Sequence, residues 1–182
     1  WGQSFSNLWK QVEDAAEKDL PRTQLEYLEK IINKATKEKA YGHLLKAELG
    51  NVSVLSSISP DSLQPAFQRM ADKEAKVRLS NPVLAAVYQS ALAQTLGNNY
   101  RLSNLYPGKE SEYFKLSMSH PELLAKHKAA EFTPLFENGY DSRWFDDDLL
   151  SVIGYELGDY PTLASYYAQT GNRQAALITA LE

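Results

Sequence analysis

Asn81-Pro82-Val83-Leu84-Ala85-Ala86-Val87-Tyr88-Gln89-Ser90-Ala91-Leu92-Ala93-Gln94-Thr95-Leu96-Gly97 reads as one helix from start to stop. Asn81 stands where a side-chain oxygen caps the free backbone N–H groups of a first turn. Pro82 follows at the position where its missing N–H costs nothing. Leu84, Ala85, Tyr88, Ala91 and Leu92 recur at the spacing of a helical face, and Gly97 marks the stop. Working outward in both directions, the same grammar repeats.

Toward the N-terminus, Ser59-Pro60-Asp61 is another cap-then-proline start, leading to Leu63, Ala66, Phe67, Met70 and Ala71. Pro65 moves the expected start of that helix a few residues later. A helix beginning near Lys39 carries Tyr41, Leu44, Leu45 and Leu49, and Gly50 is expected to interrupt it. Asp19-Leu20-Pro21 opens a stripe of Leu25, Leu28, Ile31, Ile32 and Ala35. Phe5, Leu8, Trp9, Val12, Ala15 and Ala16 form the first stripe, with Ser4 or Ser6 as its cap. Four acid-to-lysine pairs at i,i+4 agree with these helices: Asp14–Lys18, Glu26–Lys30, Asp72–Lys76 and Glu122–Lys126.

Toward the C-terminus, residues 98–109 collect Asn98-Asn99, Asn104, Pro107 and Gly108, and are expected to form an irregular link. Helical signal returns over Glu110–Met118 and after Ser119-His120-Pro121. A turn-rich link at Glu137–Arg143 contains Asn138-Gly139. Asp146–Asp148 then suits the positive end of a helix carrying Leu149, Leu150, Ile153 and Leu157. No stretch alternates like a strand. The expectation is one all-α domain over residues 1–182, with about nine or ten helices and the link at 98–109. Its core is expected to hold Trp9, Val12, Leu28, Ile32, Leu45, Phe67, Tyr88, Leu150, Leu163 and Tyr167.

Composition narrows function by exclusion. With 43% apolar and 23% charged residues, the chain falls outside the disordered and low-complexity classes. It has no cysteine, so disulfides, thiolate metal sites and a cysteine nucleophile are excluded. The pI near 5.5 argues against a nucleic-acid partner, because such binders carry a basic patch. Residues 1–91 hold 12 basic and 11 acidic side chains and residues 92–182 hold 7 and 12, so the acid excess lies in the second half. No apolar run reaches the ~20 residues of a membrane span.

From Tyr160 to Leu181 the chain resembles a tetratricopeptide repeat, a helix–turn–helix unit. Tyr160, Leu163, Ala164, Tyr167, Gly171 and Ala176 fall at that family's positions. Ala164 and Ala176 would let the paired helices approach, Tyr167 would fill their groove, and Gly171 would turn the corner. Ala180 departs from the pattern, since an aromatic residue is usual there. The fold expectation is therefore helical hairpin repeats, as a tetratricopeptide-like α-solenoid or an irregular helical array.

A wider resemblance runs through most of the chain. Leu8-Trp9-Lys10-Gln11-Val12-Glu13, Asp19-Leu20-Pro21-Arg22-Thr23 and Leu25-Glu26-Tyr27-Leu28-Glu29-Lys30-Ile31 carry its first part. Asn81-Pro82-Val83-Leu84-Ala85, His120-Pro121-Glu122-Leu123-Leu124 and Thr170-Gly171-Asn172-Arg173-Gln174-Ala175-Ala176-Leu177 carry the rest. In this order they resemble the helical N-terminal region of bacterial alpha-2-macroglobulin-like proteins of the Bacteroidetes type. The resemblance implies a secreted or envelope-anchored parent whose distant domains entrap proteases. It implies no catalysis by this segment, whose partners would be other domains of the same protein. The start at Trp1 and the uncapped run to Glu182 add the expectation of a piece from a longer chain.

Few residues offer site chemistry. His43, His120 and His127 are the only histidines; His120 and His127, with Glu131 near, lack the spacing of a zinc site. No cofactor is expected, since no phosphate-binding glycine loop or nucleophile elbow appears. Lys30, Lys34, Lys37 and Lys39 interleave with Glu29 and Glu38 and read as a solvated face. Gly154 and Gly158 read as a close helix contact, and Asn51-Val52-Ser53 as a glycosylation triplet. The densest aromatic–acidic cluster is Tyr140, Asp141, Arg143, Trp144, Phe145 and Asp146–Asp148. Asp141 through Asp148 lacks the Asp-x-Asp-x-Asp-Gly order of a calcium loop, which argues against calcium. Tyr140, Trp144, Asp146, Asp147 and Asp148 form the candidate binding surface for sugar or peptide; alternatively the aromatics plug a helix junction and the aspartates cap. Three functional classes follow: a non-catalytic scaffold, a small carbohydrate-binding or hydrolytic domain, and a peptide-binding adaptor.

Overall fold

The computed structural model describes residues 2–136 and 148–182. Among the described residues there are eleven α-helices and no β-strand, so the protein is all-α, built of helical hairpins. The chain divides into two compact units, Trp1–Lys73 and Glu74–Glu182.

The first unit contains α1 (Phe5–Glu17), α2 (Pro21–Glu38), α3 (Tyr41–Ile58) and most of α4 (Leu63–Val77). Ser4 caps α1, accepting a hydrogen bond from the Asn7 N–H at 3.2 Å. Asp19 and Lys39 take left-handed backbone conformations at the two corners, φ +54° and +55°, which lets α1–α2 and α2–α3 fold back on each other. Leu8, Leu28, Ile31 and Ala47 make the shared core. Trp9, Val12 and Ile32, expected inside, are half-buried and pack against the edge of this cluster. Leu8 and Ile31, one residue from Trp9 and Ile32, are buried in their place, and Leu28 is buried as expected.

One sequence expectation is corrected in α3. Gly50 does not interrupt the helix, which continues to Ile58. A Cβ there would lie 3.2 Å from Leu28 Cδ2, so the glycine serves the close packing of α3 on α2. The glycosylation triplet, a pattern common by chance, lies within the same helix, and Asn51 at 8% exposure leaves too little of its side chain free to carry a glycan.

The second unit holds α5 (Pro82–Gly97), α6 (Tyr100–Leu105), α7 (Lys109–Ser117), α8 (Pro121–Leu124), α9 (Leu149–Leu157), α10 (Tyr160–Gln169) and α11 (Arg173–Leu181). Helix α5 is buried on every side from Leu84 to Ala93, not on one face alone. Helices α6, α7 and α9 pack around it. Its internal hydroxyls are satisfied by the backbone: Ser90 donates to Val87 O at 2.7 Å and Thr95 to Ala91 O at 2.7 Å. The expected link at 98–109 instead contains α6, because Asn99 accepts from the Leu102 N–H at 2.9 Å and caps a new helix.

The last three helices pack in sequence, α9 on α10 and α10 on α11. Gly171, at φ +84°, turns the corner as its sequence position predicts. The buried small residue of α11 is Ala175, whereas Ala164 and Ala176 are half-buried. Helices α9 and α10 approach closely at Gly154, where a Cβ would lie 2.7 Å from Leu163 Cδ2. Gly158 makes no such contact; at φ +71° it is the C-cap of α9.

Candidate functional site

Of the candidate binding surface, Tyr140, Trp144, Asp146 and Asp147 lie outside the described residues, as does the link at 137–143. Asp148 is described, and it is buried rather than on a surface. It caps α9, accepting from the Ser151 N–H at 2.8 Å and from Ser151 Oγ at 3.2 Å. Ser151 Oγ in turn lies 2.6 Å from Tyr167 Oη, so a chain of hydroxyls runs from α10 to the cap of α9. The carboxylate is occupied in holding two helices.

The histidines have different surroundings. His120 is the exposed N-cap residue of α8, with no side-chain cap bond. His127 Nδ1 lies 3.2 Å from the carboxylate of Glu131 in a partly exposed pair. His43, far from both in sequence, has the more structured surroundings. Its ring stacks on Phe5 at a centroid distance of 3.9 Å and an interplanar angle of 7°. Trp9 Nε1–H donates to His43 Nδ1 at 2.9 Å. An indole N–H only donates, so Nδ1 accepts and the imidazole is neutral, with its proton on Nε2. Burial holds its pKa below the usual histidine value; the Lys46 ammonium acts the same way, and Glu38 opposes them. Lys46 Nζ stands 4.7 Å over the Trp9 ring and Lys34 Nζ 5.0 Å over Phe5, completing an aromatic–cation stack that fastens α1 to α2 and α3.

The first unit also contains a cleft of about 450 Å³. Its polar walls are Asn33 and Lys37 from α2, Glu48 and Asn51 from α3, and Arg69 and Lys73 from α4. Glu48 is 5% exposed and accepts from Lys73 Nζ at 3.0 Å, a buried carboxylate paired with a half-exposed ammonium. Asn51 is nearly as buried, and its carboxamide has no hydrogen-bond partner among the described residues. Ile32, Ala66 and Met70 supply an apolar floor.

Besides Asp148, the second unit buries the charge of Glu74, which is 1% exposed. Arg78 grips it through Nε at 2.8 Å and Nη2 at 2.6 Å, and Gln89 Nε2 donates at 2.8 Å. This network ties the end of α4 to α5. Glu74 and Arg78 thus neutralise each other.

Sequence reasoning named His43 and Asn51 without these roles and missed Glu48, Arg69 and Lys73. A signal existed for Glu48: an acid within the apolar run Leu44-Leu45-Lys46-Ala47-Glu48-Leu49 is out of place unless paired. Lys37 was visible only as part of a solvated face, since Lys34 pairs with Glu38 at 2.7 Å and Lys30 lies over the Tyr27 ring. The cleft brings Lys37 together with Arg69 and Lys73, more than thirty positions away. Among the described residues, no group of three or more His, Asp or Glu side chains is placed to hold a metal ion, and no helix is long and apolar enough to cross a membrane. Comparison with known protein families, curated proteins and solved structures found no match to this chain.

Proposed function

We propose that this chain is a non-catalytic helical scaffold and interaction module of a larger, secreted or envelope-anchored alpha-2-macroglobulin-like protein. Its hairpins would be tetratricopeptide-like, and its partners other domains of the same protein. The observation that carries the reading is how the buried polar groups are used. Glu74, Asp148 and the Trp9–His43 pair each join one helix to another, and among the described residues none converges with a second reactive group on an open site. An enzyme needs the opposite arrangement, with nucleophile, base and charge-stabilising donors converging on one point. The family resemblance of the sequence supplies the biological setting.

The flanking gene tests this reading. A reading frame that continues past the codon for Glu182 into many β-sandwich domains, behind a secretory signal upstream of Trp1, is the expected result. A stop codon directly after Glu182 together with a start immediately before Trp1 would end the alpha-2-macroglobulin setting and favour a small adaptor. Turnover of glycoside, ester or peptide substrates by the purified chain would end the non-catalytic part.

A further inference from the structure

We propose that the cleft between α2, α3 and α4 of the first unit is a binding site for an acidic peptide segment, with a ligand carboxylate held by Lys37 and Arg69. The proposal deepens the interaction-module reading above and rests on it. The strongest sign is Asn51. It lines the cleft at 8% exposure, and no protein group among the described residues bonds its carboxamide. Its amide atoms are not sealed in the interior but stay open to the cleft, where an outside group can reach and bond them. A carboxamide offers a donor and an acceptor side by side, the pattern that a peptide backbone matches.

The charges point to the rest of the ligand. Arg69 and Lys37 are exposed, line the cleft, and have no ion pair among the described residues. Arg69 and Lys73 lie one turn apart on α4, an arrangement of like charges that costs helix stability unless something neutralises it. Glu48 neutralises Lys73 and fixes its position. Arg69 is left for the ligand, and its planar guanidinium suits a carboxylate. Glu29 and Glu48 also line the cleft, so its five charged side chains leave a net of only +1. That balance accepts a single carboxylate and disfavours a multiply charged phosphate. Ile32, Ala66 and Met70 give the apolar floor that a peptide side chain would cover, and the volume of about 450 Å³ falls within the range of small-ligand sites.

The test is a titration of the whole chain, followed by NMR, with an acetylated, amidated Ala-Ala-Glu-Ala peptide, which carries one carboxylate. Saturable shifts of the Asn51 side-chain amide are expected. Arg69→Glu should weaken binding by about tenfold or more, the loss of one charge-assisted pair. Asn51→Ala, which leaves the charge unchanged, should weaken it several-fold while keeping the helical spectrum. The proposal is overturned if no saturable shift occurs, or if both variants bind like the parent. It is equally overturned if inorganic phosphate or an Ala-Lys-Lys-Ala peptide binds as tightly. Such a result would leave the scaffold reading standing, because the flanking gene decides that separately.

Discussion

At the scale of single residues, His43 shows how one bond sets a protonation state. The Trp9 N–H needs an acceptor, the stack with Phe5 excludes water from one ring face, and Lys46 repels a second positive charge. All three favour the neutral imidazole in the folded chain. The unfolded chain therefore takes up a proton first as pH falls below the ordinary histidine value of about 6.5. The stability contributed by His43 is fully present above that pH and declines as pH falls toward the lower folded value. Thermal melts at pH 7.5 and pH 5 should show this loss, and His43→Phe should reduce the difference between them. If the parent and His43→Phe respond to pH identically, the neutral ring contributes nothing to holding α1.

At the scale of helices, two helical glycines have opposite roles. At Gly154 an added Cβ would meet Leu163 Cδ2 at 2.7 Å and Met118 Cε at 2.9 Å, all within a buried contact. Gly154→Ala should cost about 1–3 kcal/mol by overpacking, partly offset by better helix propensity. At Gly97, exposed at the end of α5, the nearest atom is Glu110 Oε1 at 2.9 Å, the tip of a side chain free to swing away. Gly97→Ala should stabilise by about 0.4–1 kcal/mol through a less flexible unfolded chain. Urea unfolding of the two variants checks both signs; a stabilised Gly154→Ala would mean that α9 and α10 are not in close contact. The helix pairs themselves do not depend on exposed charges. Among the described residues, none of the four acid–lysine pairs expected at i,i+4 forms an ion pair, and Asp72 accepts from Gln68 Nε2 instead. Such pairs contribute ~0.2–0.5 kcal/mol each, too little to decide a helix whose face is buried.

At the scale of the whole chain, the division into two units bears on stability. The first unit has its own core of Leu8, Leu28, Ile31 and Ala47, and its own buried ion pair in Glu48–Lys73. A polypeptide ending just after α4, at Ser80, should give a helical far-UV circular dichroism spectrum and a sigmoidal melt. A domain of that size is marginal, so a melting temperature below that of the full chain is expected. A random-coil spectrum would show that the first unit has no independent stability.

What the sequence determined by itself is the all-α class, most helix starts, and the corner at Gly171. These are local matters: a cap side chain, a proline in a first turn and a 3.6-residue apolar period act within a few residues of each other. Legibility ended where distant residues meet. The period cannot tell which neighbour of a stripe is fully buried, so Trp9 and Ile32 gave way to Leu8 and Ile31. Nor can it tell a helix-breaking glycine from one that admits a partner, as at Gly50. The candidate cleft was invisible for the same reason. Lys37, Asn51 and Arg69 carry no shared motif, and only the packing of three helices places a buried amide beside two cations. Tertiary structure decided that, because burial and charge pairing depend on distances through space that chain spacing does not encode.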